Sequence, residues 1–186
     1  MLKKVGLLLV AAMVLASTVQ GADCTIAAYG DAAGTVSGFY PDLDPSLPLF
    51  SFYIVMFAED STDAVAYKLN IQSSDIFPWN IISGPSGEGS FLDEVPANIG
   101  TNVALGECVL GSGGTPILVA EYVYAALGGF HATVFLSANT NQHPESPIYN
   151  TCTNVKTPCD VGPLLLIQQF FPTESTSFSA IKSLYN

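Results

Sequence analysis

The chain has 186 residues, of which 16 are acidic and 5 basic, giving a formal net charge of −11. All its cations are lysine, so no guanidinium is present to grip phosphates or carboxylates in bidentate fashion, and so sparse a positive charge excludes nucleic-acid backbones and anionic lipid surfaces as partners. Hydrophobic residues reach 49% against 11% charged, which excludes a disordered acidic tail.

Residues 1–21 read as an export signal. Lys3 and Lys4 form its positive start, Gly6 to Ala16 its apolar stretch, and the small residues at Val19-Gln20-Gly21 or Gln20-Gly21-Ala22 suit cleavage. The apolar stretch is too short to span a bilayer comfortably. Cleavage leaves three lysines against the 16 acids, a net charge of −13. Cys24 follows Asp23, where a lipoprotein signal carries a small neutral residue, so lipidation is not expected. No later run has membrane-spanning length; Pro163 to Phe171 is broken by Gln168 and Gln169. The remainder reads as a secreted single domain over residues 22–172 followed by a tail, 173–186.

The period along the domain is that of strands. Thr25 to Tyr29 and Gly34 to Tyr40 come first, then Phe50 to Phe57, apolar on both faces. Such a run suits a central strand covered on both sides or one whose outer face meets a partner. Ala64 to Ile71 alternates cleanly, with Val65, Tyr67, Leu69 and Ile71 on one face and Lys68 and Asn70 on the other. Ile76 to Ser83, Asn102 to Leu110 and the doubly apolar Ile117 to Leu127 follow. Phe130 to Ala138 alternates again, and Leu164 to Phe171 is the last. Turn signals separate them: Tyr40-Pro41-Asp42, Gly84-Pro85-Ser86-Gly87, Gly111-Ser112-Gly113-Gly114 and Gly128-Gly129. About nine short strands between such turns predict an all-β fold, an antiparallel sandwich of jelly-roll or Greek-key type. Phe178, Ile181, Leu184 and Tyr185 stand at helical spacing after Ser175, Thr176 and Ser177, which predicts a short amphipathic C-terminal helix covering a sheet edge.

Four cysteines in an exported chain favour two disulfides over a metal site, since no two stand two residues apart. Three pairings satisfy the count. The six residues between Cys152 and Cys159 suit a tight turn, so Cys152–Cys159 is expected, leaving Cys24–Cys108.

The order of elements carries a resemblance. Phe50 to Phe57 runs into the acidic turn Glu59-Asp60-Ser61-Thr62-Asp63; Ala64 to Ile71 follows; a Gly-rich stretch precedes Thr115 to Ala120; and Phe130 to Ala138 closes the unit. Over roughly Leu47 to Ala138 this order resembles the cohesin-like and carbohydrate-binding-type sandwich modules of bacterial extracellular proteins. The resemblance implies a jelly-roll sandwich and non-catalytic binding. Cohesins recognise a helical dockerin through one sheet face, but this chain has no dockerin-type calcium repeat and its four cysteines are untypical of cohesins, so dockerin binding is not carried over. The tail Glu174 to Asn186, with Phe178, Ile181, Lys182, Leu184 and Tyr185, is similar to short tails after exported bacterial sandwich domains; that likeness hints at export or attachment, while docking on its own domain is the plainer expectation.

Catalytic chemistry finds little purchase. A nucleophile needs a neighbouring base, and only His131, on the polar side of a strand, and His143, in the polar loop Asn139 to Pro147, are available. Glu121 interrupts the apolar run Ile117 to Leu127 and is expected to face solvent on an edge or outer face. Calcium takes several hard oxygens from loops, which Asp42 and Asp44, or Glu59, Asp60 and Asp63, supply; plain solvated turns are the preferred explanation. Otherwise no cofactor is expected. Carbohydrate binding calls for exposed flat aromatics. Trp79, the single tryptophan, with Tyr122, Tyr124 and Tyr40 would form such a platform, the alternative being that Trp79 packs over the end of the sandwich. The expectation is therefore an exported non-catalytic module recognising protein or polysaccharide. A structural subunit assembling by strand addition or face packing comes second, and a carboxylate-based hydrolase trails.

Overall fold

The computed structural model describes residues 23–43, 47–73, 75–84, 87, 89–93, 100–126 and 129–169. The signal segment expected over 1–21 and the C-terminal helix expected within 173–186 lie outside them. Among the described residues every regular element is a strand: β1 (Cys24–Tyr29), β2 (Gly38–Phe39), β3 (Leu49–Ala58), β4 (Thr62–Gln72), β5 (Ile76–Ser83), β6 (Ser90–Asp93), β7 (Thr101–Val109), β8 (Ile117–Ala126), β9 (Phe130–Ser137), β10 (Ile148–Thr151), β11 (Lys156–Pro158), β12 (Asp160–Val161) and β13 (Leu165–Gln169). The fold is the expected two-sheet sandwich. Its additional strands are β6, β10, β11 and β12, each of two to four residues and too short for a period to show.

The smaller sheet has the order β12-β1-β3-β8-β5. The larger runs β11-β10-β4-β9-β13-β2, with β7 also on β4 and β6 on β7. Pairing is antiparallel except for β1 with β12 and β13 with β2. In β4, Ala64, Val65 and Ala66 pair with both β10 and β7, so those two strands lie on opposite edges of its first half, while Lys68 to Gln72 pair with β9.

Alternation fills the space between the sheets. Ile26 and Ala28 of β1, Phe52, Ile54 and Met56 of β3, and Val119 and Tyr122 of β8 meet Val65 and Tyr67 of β4, Val103 and Leu105 of β7, Val134 of β9, and Leu165 and Ile167 of β13. All are buried, each large side chain contributing about 1.5–3 kcal/mol. Phe52 stacks on Tyr122 at 5.3 Å and Phe50 on Phe130 at 5.1 Å. The Tyr67 and Tyr122 hydroxyls meet across the core at 2.8 Å, which satisfies two polar groups that would otherwise be costly there.

The second apolar face of β3 has an internal explanation. Tyr29 and Val55 are buried on the outer side of the smaller sheet, with Tyr53 and Phe57 packed against them. The loop between β1 and β2 lies over this cluster. Gly34 has φ 69°, and a Cβ there would stand 2.7 Å from Phe57 Cζ, so only glycine lets the loop approach so closely. Asp31 fixes the loop, its carboxylate accepting bonds from the Thr35 hydroxyl (2.6 Å) and amide (2.8 Å) and from the Val36 amide (3.0 Å). These bonds hold Asp31 below its ordinary pKa, the Thr35 hydroxyl being the largest cause. Of the strand expected over Gly34 to Tyr40 only Gly38–Phe39 forms, because the residues before it serve as this cover.

The disulfides correct the expected pairing: Cys24 joins Cys159 and Cys108 joins Cys152. Cys152–Cys159 does not form because the two residues lie at opposite ends of the β10–β11 hairpin region, Cys152 in its turn and Cys159 beyond its second strand. Cys159 precedes β12, which pairs in parallel with the start of β1 and so carries it to Cys24. Cys108 stands one residue before the end of β7, beside the start of β4, where Cys152 arrives from the opposite edge.

Candidate functional site

The larger sheet presents a polar outer face whose centre is a groove. Alternation on β4 turns Ala64 and Ala66 outward, Ala104 of β7 stands beside them, and these small side chains form a floor. Asn102, Gln142, Ile148, Asn150, Asn154 and Lys156 complete a hollow of about 320 Å³. The strands set the floor; the loops set the rim.

Residues 139–147 are folded by Asn139, which is 1% exposed. Its carbonyl accepts the amides of Gln142 (3.0 Å) and His143 (2.9 Å), and its Oδ1 accepts the Asn141 amide (3.1 Å). This places Gln142 where its Oε1 accepts from Lys156 Nζ at 3.0 Å. Lys156 is offered by the turn between β10 and β11, closed by the Asn154 amide on the Thr151 carbonyl (2.7 Å) and by the Val155 amide on Thr151 Oγ1 (3.0 Å). Asn154 holds φ 64°, a conformation its side-chain type tolerates.

Asn150 donates through Nδ2 to Asp63 Oδ1 at 3.0 Å, while its Oδ1 is buried with no hydrogen-bond partner among the described residues. A buried acceptor of this kind carries a desolvation cost. Both lysines of the described residues, Lys68 and Lys156, belong to this face of an otherwise acidic chain. Toward β9 the face is tied by Asn70 Nδ2 to Ser137 Oγ (2.9 Å) and by Gln168 Nε2 with His131 Nδ1 (2.8 Å). Sequence reasoning missed the groove, although Ala64, Ala66 and Ala104 in strands otherwise rich in large residues were a readable sign of it.

The expected aromatic platform does not assemble. Tyr122 and Tyr124 are 2% and 8% exposed, because they share the inward phase of β8 with Ala126. Trp79 is 64% exposed, so it neither shares their burial nor packs over the end of the sandwich. It sits at a bulge in edge strand β5, near exposed Phe77 and Ile82. Glu121 lies on the outer side of the smaller sheet, opposite Tyr53, whose phenol pKa is raised by burial first and by the Glu121 charge second.

The carboxylates considered for calcium do not gather into a set of three among the described residues. Asp42, Glu59 and Asp60 are exposed, Asp63 is engaged by Asn150, and Asp44 lies outside the described residues. Among the described residues no three His, Cys, Asp or Glu side chains gather closely enough to hold a metal ion. His143 Nδ1 takes the Ser146 amide at 3.2 Å and stands 3.1 Å from its Oγ, an arrangement that closes a turn of its own loop.

No protein-family model matches the chain, and no curated protein matches it either. Solved structures do. A non-cellulosomal cohesin from the hyperthermophilic archaeon Archaeoglobus fulgidus is 10% identical with a TM-score of 0.53, over 84% of this chain and 98% of that one. The third ScaB cohesin of R. flavefaciens, solved with a group 1 dockerin, gives 10% and 0.52 over 83% and 99%. A cohesin module from a family 33 glycoside hydrolase of Clostridium perfringens gives 4% and 0.53 over 80% and 99%. The chain is a cohesin-like β-sandwich.

Proposed function

We propose that the chain is an exported, non-catalytic module that docks a protein partner on the outer face of its larger sheet. The observation that carries this is the groove, where a floor of Ala64, Ala66 and Ala104 lies beside the cation of Lys156. Small residues admit a close approach, and Lys156 takes a carboxylate. The cohesin-like fold supports a protein as the partner, since the R. flavefaciens cohesin was solved bound to a dockerin. Two disulfides, and the absence of a helix long and apolar enough to cross a membrane among the described residues, agree with export.

A photo-crosslinking residue in place of Ala104 tests the reading, with one in place of Leu118 on the opposite sheet as control. A partner purified after capture at Ala104 is expected to lose at least tenfold in affinity to Lys156→Glu, about 1.4 kcal/mol. Equal capture from both faces, or unchanged affinity, refutes it. The exposure of Trp79 and Phe77 on β5 favours a second reading, polysaccharide contact at that edge, for which Trp79→Ala should abolish glycan-array signal.

A further inference from the structure

The two disulfides differ in access, on which thiol exchange depends. Cys24 and Cys159 are each 1% exposed, and Cys159 Sγ lies 3.9 Å from the buried Met56 Sδ. Cys108 and Cys152 are both exposed, and both line an open pocket of about 320 Å³ together with Asp60, Ser61, Thr151 and Val155. One bridge is sealed in the core, and the other faces a cavity large enough to admit a small thiol.

We propose that Cys108–Cys152 is a thiol-exchange site for small uncharged dithiols, opening while Cys24–Cys159 stays closed. A thiolate of the dithiol attacks one of the two sulfurs, forming a mixed disulfide and releasing the other cysteine as thiolate. The second thiol of the reagent, once deprotonated, then displaces the remaining cysteine sulfur. The protein ends with two thiols and the reagent with one cyclic disulfide, so two electrons pass from dithiol to protein. Asp60 in the pocket wall and the net charge of −11 disfavour anionic thiols, hence the preference for a neutral reagent.

Opening has a defined local effect. The bridge straps the ends of β7 and β10 across the start of β4, where Thr62 pairs with both Val109 and Thr151 and Ser61 accepts the Cys152 amide at 3.1 Å. That corner is released, while the smaller sheet keeps its own staple.

The native chain is treated with dithiothreitol, quenched at intervals with N-ethylmaleimide, digested without further reduction and read by mass spectrometry. Alkylated Cys108 and Cys152, with Cys24 and Cys159 still linked, should appear at least about tenfold faster than alkylated Cys24 or Cys159, because the buried bridge must await local opening. Loss of both bridges together, or of Cys24–Cys159 first, overturns the proposal. A folded Cys108→Ser/Cys152→Ser chain should consume no dithiol on the same timescale, and consumption at the wild-type rate overturns it as well.

Discussion

Replacing Cys24 and Cys159 together by alanine removes a bridge that spans 135 residues, of which the Cys108–Cys152 bridge already closes off 44. Its removal therefore releases a loop of about 91 residues in the unfolded chain, 135 less 44, for which the chain-entropy relation gives about 4.6 kcal/mol at 25 °C. Loss of the sulfur contacts beside Met56 adds roughly 1 kcal/mol for the space left behind. Measured bridges fall short of the entropic figure, so a loss of about 3–5 kcal/mol is expected. Urea unfolding at neutral pH reads it directly. The denaturant slope should rise, because the uncrosslinked chain exposes more surface on unfolding. The matching Cys108→Ala/Cys152→Ala pair, with its shorter loop and exposed site, should lose less. A loss below about 1 kcal/mol with an unchanged slope would show that the bridge does not act through the unfolded chain.

Three further outcomes follow from the packing. Tyr67→Phe and Tyr122→Phe should each cost about 1 kcal/mol in urea unfolding, and the double variant less than the sum, since both remove the same 2.8 Å bond. Phe52→Ala, at a position 0% exposed and stacked on Tyr122, should cost about 3–5 kcal/mol by the same assay. Asp31 is held below its ordinary pKa, so the fold binds its proton less readily than the unfolded chain does. The stability from its clasp is thus full above the ordinary carboxylate pKa and is lost as pH falls through the lowered value. Melting temperatures taken between about pH 5 and pH 2 should decline less steeply for Asp31→Asn than for the parent chain.

Where strands are long and lie half in water, their period is written in the chain. β4 and β9 are legible because Tyr67, Leu69 and Ile71 alternate with Lys68 and Asn70, and Phe130, Ala132 and Val134 with His131 and Thr133. β10 is hidden because four residues, Ile148 to Thr151, are too few to show a period inside a polar stretch. The double apolarity of β3 leaves two readings open, cover on both sides or an outer face meeting a partner; the structure shows the first, and that the cover is the chain's own loop depends on Asp31 and Gly34, whose roles appear only in three dimensions. The disulfides defeat sequence reasoning because a short separation says nothing of which strand edges converge; the parallel pairing of β12 with β1 decides the matter. Burial of Tyr122 and Tyr124 was readable in principle, since both are out of phase with Glu121, the residue of β8 that must reach water.

The Cys24–Cys159 bridge also fixes how the domain bears tension. A pull applied before residue 24 and after residue 159 passes through a single covalent crosslink and not through the 135-residue path between them. The groove strands β4 and β7 and the turn that offers Lys156 all lie inside that path, shielded from the load. Only the segment beyond the crosslink, with β12 and β13, is free to peel. Under such a load the groove proposed for docking would keep its shape while the last described strands yield.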